Sequence, residues 1–369
     1  MLIKDSIIKP PGFIYLFPQN KEEILFFDIE TTGLSPKASS LYMVGVMFFD
    51  KKYNAWHIRQ FFADNYKSEP GIILSFLEML GNYKYLYHFN GRTFDIPYIL
   101  NKCSKYGIKP DSHCLSIFND TDNIYSIDLL VLVRPLKKLL SIQSAAQTSL
   151  ERWLGIIRED QYNGGQLISV YSQYIQSKLV SPDKAPELEK ILLLHNHDDI
   201  MHMLDICSIL SYRDLLLAGN DIAVTGITPG DGQYINISFS HGIQIPKEVS
   251  VTKPFPSSKE AVIPIQDIHL EIRKNPAVLS VPLFYGNLKY FYQGCKKTAA
   301  SKSYEEKEGI FVPSLTVIQQ ESHNTQYYIT YRDKICFYAL PGGKVDMGSP
   351  FWERYVKLQL GAFIQAKAK

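Results

Sequence analysis

The hydrophobic positions of the first hundred residues read as strands followed by a helix. Ile24-Leu-Phe-Phe-Asp-Ile-Glu30 is a short apolar run with two acids inside it. Leu41-Tyr-Met-Val-Gly-Val-Met-Phe-Phe49 is a second run, reached through the turn-rich Thr31 to Ser40. Bounded runs of this length predict strands. Ala55-Trp-His-Ile-Arg-Gln-Phe-Phe62 alternates and predicts a third. Within Gly71 to Leu80, Ile72, Ile73, Phe76, Leu77 and Leu80 fall at helical spacing, and Tyr85-Leu-Tyr-His-Phe89 then predicts a fourth strand. Three strands, a helix and a strand imply a mixed sheet. From Phe94 through Tyr106 the spacing is helical again, and a fifth short strand near Ile124 to Leu130 leads into an expected long helical stretch.

Thr148-Ser-Leu-Glu151 has capping-box spacing and predicts a helix from there to about Gly155. Ser181-Pro182-Asp183 predicts another helix start, with proline in the first turn, and the segment to Leu217 is apolar enough to be largely buried. From Asp221 the chain turns to Gly, Pro and β-branched residues with clear alternation, as in Gln326-Tyr-Tyr-Ile-Thr-Tyr-Arg332 and Lys334-Ile-Cys-Phe-Tyr-Ala339. The expected organisation of the 369 residues is therefore an α/β domain over residues 1–219 and a smaller β-rich C-terminal domain over 220–369. Thr252 to Glu260 reads as an exposed loop or linker, and Gly230-Asp-Gly-Gln233 and Pro341-Gly-Gly343 as turns.

Composition narrows the class. With 46% hydrophobic and 21% charged residues the chain is an ordinary folded protein, which excludes disordered and collagen-like sequences. No apolar run reaches membrane-spanning length, and Pro10 and Pro11 interrupt the N-terminal stretch before an h-region can form, so a cytoplasmic protein without membrane contact is expected. Five widely spaced cysteines without a C-x-x-C pair fit neither a disulfide framework nor a zinc ribbon, leaving reduced, mostly buried thiols. The net charge of +2 is unevenly spread. Residues 1–219 carry 22 Lys/Arg against 24 Asp/Glu, and residues 220–369 carry 17 against 13, which permits a basic C-terminal surface without requiring one.

The candidate chemistry lies in carboxylates. Asp28 and Glu30 stand two apart in a predicted strand, so both emerge on one face, roughly 6.5–7 Å apart at the Cα level. Two like charges so placed repel and lose hydration, and they need cations or protons to be tolerable. A lone D-x-E is most often a solvated strand face, but here Phe26 and Phe27 precede the acids and Thr31-Thr-Gly-Leu34 follows, leaving room for a bulky ligand and a tight turn at Gly33. His88-Phe-Asn-Gly-Arg-Thr-Phe-Asp95 ends a strand in Asn-Gly and sets Asp95 at a helix start. The plain reading is a turn with a first-turn acid; the alternative is that Asp95 faces the Asp28/Glu30 edge. Leu194-His-Asn-His-Asp-Asp-Ile200 places polar residues abruptly inside a long apolar helix, where His195 and Asp199 share a face.

Taken jointly, FDIETTGL, FNGRTFD and the late H-x-x-x-D resemble the DEDD 3'-5' exonucleases of the ribonuclease H-like superfamily. Within it the sequence looks most like the bacterial YprB-like proteins, a group of predicted exonucleases, through Ser126-Ile-Asp-Leu-Leu130 and Leu154-Gly-Ile-Ile-Arg-Glu-Asp160. The resemblance covers about residues 12–215 and weakly includes Gly286-Asn-Leu-Lys-Tyr-Phe-Tyr292. It implies a mixed five-stranded sheet with helices on both faces, with Asp28, Glu30, Asp95 and Asp199 as ligands of two divalent cations, Mg²⁺ or Mn²⁺. It further implies His195 as the general base and Thr31, Gly33, Leu34, Asn90 and Phe94 on the substrate side. The implied reaction is two-metal hydrolysis of phosphodiester bonds in DNA or RNA at a single-stranded 3' end. One departure is visible: the histidine branch sets its base five residues before the last Asp, whereas His195 stands at the four-residue spacing of the tyrosine branch.

Asp198 is a substitute ligand by position, and His197 reads as solvated or capping. Lys289-Tyr-Phe-Tyr-Gln-Gly-Cys-Lys-Lys297 interleaves cations with aromatics and fits either nucleic-acid stacking or, more simply, a core strand with solvated lysines. A rival of another class is a module of the same fold that binds nucleic acid or protein without cutting.

Overall fold

The computed structural model describes residues 1–9, 11–217, 222–231, 233–254, 267–291, 304–315, 329–332, 335–340, 342, 344–346 and 348–364. The chain divides into two compact units, Met1–Arg134 with Ser144–Leu210, and Pro135–Gln143 with Ser211–Lys369.

The first unit is built on a six-stranded mixed sheet with helices on both faces. Its strands are β1 (Leu2–Ile7), β2 (Ile24–Thr31), β3 (Leu41–Asp50), β4 (Ala55–Phe62), β5 (Tyr85–His88) and β6 (Ser126–Asp128). They lie in the order β1-β4-β3-β2-β5-β6, the first four mutually antiparallel and β5 and β6 parallel to β2. Five of these are the strands expected from the apolar runs. The sixth, β1, is an edge strand with Leu2 and Ser6 half-covered and its other positions exposed, so no alternation announces it.

Helices follow as α1 (Glu69–Leu80), α2 (Asp95–Tyr106), α3 (Ser112–Phe118), α4 (Leu129–Val133), α5 (Gln147–Leu154), α6 (Gly164–Val180) and α7 (Ala185–Cys207). The alternation of β2 assigns the two faces. Phe27 stacks on Phe76 of α1, with ring centroids 5.1 Å apart, while Asp28 on the opposite face meets Asn196 of α7.

Several helix boundaries differ from the sequence expectation, each for a local reason. The long helical stretch after Leu130 is broken into α4 and a 3-10 turn at Arg134–Leu136, where Pro135 removes a backbone donor. Thr148 and Glu151 form no capping box: the helix already starts at Gln147 behind Ala146, and Glu151 is buried inside it. A capping box does form at Asn163, whose side chain accepts from Gln166 N at 3.1 Å while the Gln166 side chain accepts from Asn163 N at 3.0 Å. Ser181-Pro-Asp183 opens a 3-10 turn, and α7 begins after it at Ala185.

Close packing of α7 on the sheet depends on Gly45, which stands opposite Asp28 in β3. A Cβ there would lie 2.1 Å from both Asn196 Oδ1 and Ile200 Cδ1, two fully buried groups. Gly45→Val is therefore expected to cost about 1–3 kcal/mol by overpacking. It should also displace the Asn196 amide from Asp28; urea denaturation reads the first effect.

A buried ion pair fixes the loop that follows β2. Lys102, fully buried on α2, lies 2.8 Å from Glu69 Oε1 and also donates to the Ser39 carbonyl, while Glu69 accepts from Leu41 N at 2.7 Å and from Tyr106 Oη. Lys102→Met leaves the Glu69 charge buried without its cation. The expected loss is about 3–5 kcal/mol, read by chemical denaturation.

The second unit is β-rich. Strands β7 (Ile222–Pro229), β8 (Tyr234–His241), β9 (Val249–Lys253), β10 (Ile268–Ile272) and β11 (Ala277–Pro282) form an antiparallel sheet ordered β7-β8-β11-β10-β9. Strands β12 (Phe284–Phe291), β13 (Tyr304–Ser314), β14 (Ile329–Arg332) and β15 (Ile335–Ala339) close into a barrel, and α8 (Leu210–Leu217) and α9 (Phe351–Gly361) are the remaining α-helices among the described residues. Thr252 and Lys253 of the expected linker belong to β9; residues 255–260 lie outside the described residues, as do Tyr292–Lys297 of the aromatic-basic segment and Pro341 and Gly343. Between β7 and β8 the Gly230 N–H donates to the Tyr234 carbonyl at 2.9 Å, and Gly232 of the expected turn lies outside the described residues. Cys103, Cys114 and Cys207 are buried free thiols. Among the described residues no helix is long and apolar enough to cross a membrane.

Candidate active site

Strand β2 carries two acids to the point where its parallel neighbour stops. Pairing between β2 and β5 reaches only Phe26, so the backbone N–H of Ile29 is left for a side chain, and Asp95 Oδ1 accepts it at 3.2 Å. The N-terminal acid of α2 is thereby drawn to the strand that bears Asp28 and Glu30. On the even-numbered face of β2, α7 adds the rest. Asn196 Nδ2 donates to Asp28 Oδ2 at 3.0 Å, and Asn196 is itself held by Gln60 Nε2, 3.0 Å from its Oδ1. His195 turns Nε2 toward Glu30 Oε1 at 3.7 Å and Asp199 Oδ2 at 3.3 Å. Tyr42 Oη donates to Glu30 Oε2 at 3.4 Å. All five of Asp28, Glu30, Asp95, His195 and Asp199 thus meet at one place.

Their electrostatics are those of a crowded cluster in which Glu30, Asp95 and His195 are buried and Asp28 and Asp199 half-buried. Burial pushes the Asp28 carboxyl well above the usual carboxylate range, and Asp95, Asp199 and Glu30 push it further against the pull of the Asn196 hydrogen bond. Burial lifts Glu30 to about 8, with His195 opposing and Asp199 adding to the rise. Burial also lifts Asp95 to about 7, against the backbone N–H bonds it accepts. Burial alone would push the His195 imidazole down, but Asp199, Glu30 and Asp160 together hold it above its ordinary value. Carboxylates that burial and one another's charge keep from ionising are a donor set whose charge a bound cation would neutralise. Glu30, His195 and Asp199 offer ligand atoms within 4.8 Å of one another, and the oxygen-dominated donor set fits Mg²⁺ or Mn²⁺ better than zinc.

The residues expected on the substrate side are distributed along two loops. Thr31 Oγ1 donates to the Gly33 carbonyl at 2.9 Å, and Ser39 Oγ to the same oxygen at 2.8 Å, so the turn after β2 is tied upon itself. Leu34 leaves that turn 85% exposed. Asn90 takes the left-handed conformation expected of an Asn-Gly turn, φ 64°, with its N–H donated to Asp128 Oδ1 at 3.0 Å and its Oδ1 accepting from Thr93. Phe94 is half-buried against Tyr98.

Asp198, the alternative ligand by sequence, is directed elsewhere. It is buried and accepts the Asp160 backbone N–H at 3.0 Å, so it braces a loop instead of joining the acids. His197 is partly exposed beside Asp198. Sequence reasoning assigned no role to three further side chains at the site. Asp160 Oδ2 lies 2.6 Å from His195 Nδ1; Arg158 pairs with Asp199 Oδ1 and with Glu151 Oε2 at 2.9 Å; Gln147 Nε2 donates to the Asp199 carbonyl at 2.7 Å. The available signal for the first two was the charged Arg158-Glu-Asp160 closing an otherwise apolar Leu154-Gly-Ile-Ile stretch.

With this geometry the class is defined: a family model described as the RNase_H superfamily matches residues 25–211, just over half of the chain, and the chain belongs to that superfamily. No curated protein matches the chain. Among solved structures it is similar to the family B DNA polymerase of the hyperthermophilic archaeon Pyrobaculum calidifontis, at 16% identity over 53% of this chain and 25% of that one, TM-score 0.40. It is also similar to exonuclease I of E. coli. The complex with a dT13 oligonucleotide aligns at 15% identity over 69% of this chain and 64% of that one, and the zinc-bound single-stranded DNA complex at 16% over 58% and 54%, both with TM-score 0.27. The chain spans less than two thirds of the length of each of these structures.

Proposed function

We propose that this protein is a metal-dependent 3'-5' exonuclease of the DEDD kind, nearest in its motifs to the bacterial YprB-like proteins and acting in the cytoplasm on single-stranded DNA or RNA ends. The observation that carries the reading is the convergence of four carboxylates from β2, α2 and α7 on one point, with His195 Nε2 turned into them. Asp28, Glu30, Asp95 and Asp199 would hold two divalent cations. Bound there, the cations would supply charge neutralisation for the attacking and departing oxygens of an in-line displacement.

The chain's own groups supply the remainder. Water oxygen bonds to phosphorus, the bond from phosphorus to the 3' oxygen breaks, the departing 3' oxygen takes a proton from solvent, and the products are a nucleoside monophosphate and a chain shorter by one nucleotide with a 3' hydroxyl. His195 Nε2 is the atom that takes the water proton, while Asn196 and Ile29 N–H hold Asp28 and Asp95 in place. Leu34, which is exposed, and Phe94 would offer apolar surface to the terminal bases, with Thr31, Gly33 and Asn90 shaping the turns after β2 and β5.

The test is a labelled-end digestion panel of single- and double-stranded DNA and RNA with Mg²⁺ or Mn²⁺, and with EDTA. Stepwise shortening from the 3' end that EDTA abolishes is expected. A robust failure on both polymers across metals overturns the reading and leaves a non-cutting binding module.

A further inference from the structure

We infer that Asp160 is a positioning residue for His195: it holds the proton on Nδ1, so that Nε2 presents its lone pair to the acid cluster. The inference deepens the proposed function and rests on it for the use of Nε2, though not for the tautomer itself.

The hydrogen-bond inventory of Asp160 leads to this. Its carboxylate is buried, and both oxygens are taken by donors: Oδ1 accepts from Tyr162 N at 3.0 Å, and Oδ2 stands 2.6 Å from His195 Nδ1. Between a carboxylate oxygen and an imidazole nitrogen at that distance the ring N–H is the donor, so the hydrogen of that short contact belongs to Nδ1. The residue's own backbone N–H is spent on Asp198 Oδ2, which fixes the loop against α7 from the other side. Arg158 Nη1, 4.0 Å from Asp160 Oδ2, keeps positive charge beside the carboxylate. A neutral imidazole has one N–H. With Nδ1 protonated, Nε2 is bare, and it is Nε2 that faces Glu30 and Asp199. Among the described residues, Asp160 Oδ2 is the acceptor that meets Nδ1 and holds the ring in that state and orientation.

Asp160→Asn distinguishes this role from a structural one. The amide is isosteric but has one acceptor oxygen. Keeping the Tyr162 N–H bond puts its NH₂ against His195 Nδ1, which must then become the acceptor, moving the imidazole proton to Nε2.

The full chain, labelled with ¹⁵N-histidine, is examined by long-range ¹H–¹⁵N NMR at a pH where the ring is neutral. Wild type is expected to show His195 as the Nδ1–H tautomer and Asp160→Asn as the Nε2–H tautomer. Turnover should fall by about 10²–10⁴ in the variant, with KM and Mn²⁺ affinity within a few-fold of wild type. An Nε2–H tautomer in wild type, or an unchanged tautomer in Asp160→Asn, overturns the inference whatever the enzyme cleaves. Wild type that shows the expected tautomer switch but cuts no nucleic acid overturns the proposed function instead. If Asp160→Asn does not fold, Tyr162→Pro, which removes the donor to Asp160 Oδ1 and leaves Oδ2 to His195, gives a second reading: the tautomer should survive there. Its loss would count against the inference.

Discussion

Asp28→Asn and Glu30→Gln are expected to remove hydrolysis while raising the stability of the metal-free protein. Each loses a carboxylate whose role in the proposed reaction is to hold charge-neutralising cations, and the rate should fall by at least about 10²–10³-fold. The gain in stability follows from the same charges. Carboxyls that ionise less readily in the folded chain than in the unfolded one bind more protons when folded, so stability falls as pH rises. The window runs from about 4.5, the ordinary value for Glu30, to its folded value of about 8, with Asp28 and Asp95 displaced in the same direction. In EDTA, wild type should therefore lose thermal stability steadily from pH 5 to pH 8, by on the order of several kcal/mol for the cluster. Mn²⁺ should restore it, and both variants should show a shallower slope. A sharp fall in the EDTA melting temperature of either variant would mean that the acid is a structural ligand of the fold.

What the sequence disclosed and what it withheld divide along a physical line. Strand alternation places Asp28 and Glu30 on one face without reference to any other part of the chain, and an Asn-Gly turn before Asp95 is a local feature. A polar break in an apolar helix likewise marks His195 and Asp199 from local pattern alone. Five strands of the first unit were legible for the same reason. The edge strand β1 was not, because an exposed strand carries little apolar signal and is defined by the partner it finds. Asn196, Arg158 and Asp160 escaped assignment because their roles exist only after α7 has packed on Gly45 and the loop at residues 155–160 has folded back on it. Glu151 shows the converse. Its spacing from Thr148 suggested a cap, but a buried carboxylate beside Arg158 is a tertiary ion pair that no local spacing distinguishes from one.

His195→Ala should lower the turnover rate by about 10²–10⁴ with metal binding retained, the range for a lost general base. The variant also leaves Asp160 Oδ2 without its donor, at a cost of about 1–3 kcal/mol, so the rate must be referred to folded molecules. A purely structural histidine would show the stability loss alone. The pH profile separates the two further. The pull of Asp199, Glu30 and Asp160 holds the imidazole above its ordinary value, so a base at this position yields an acid limb that disappears in the alanine variant. Water titrating without a histidine would keep the limb. His195→Tyr is the sharper comparison, because the four-residue spacing to Asp199 is that of the tyrosine branch and a phenolic hydroxyl is admissible there by register. Substantial activity in His195→Tyr with little in His195→Ala would assign an orienting or proton-handling role to this position. Full activity in both would remove His195 from the chemistry and leave the four carboxylates, with the cations they gather, as the whole of the catalytic apparatus.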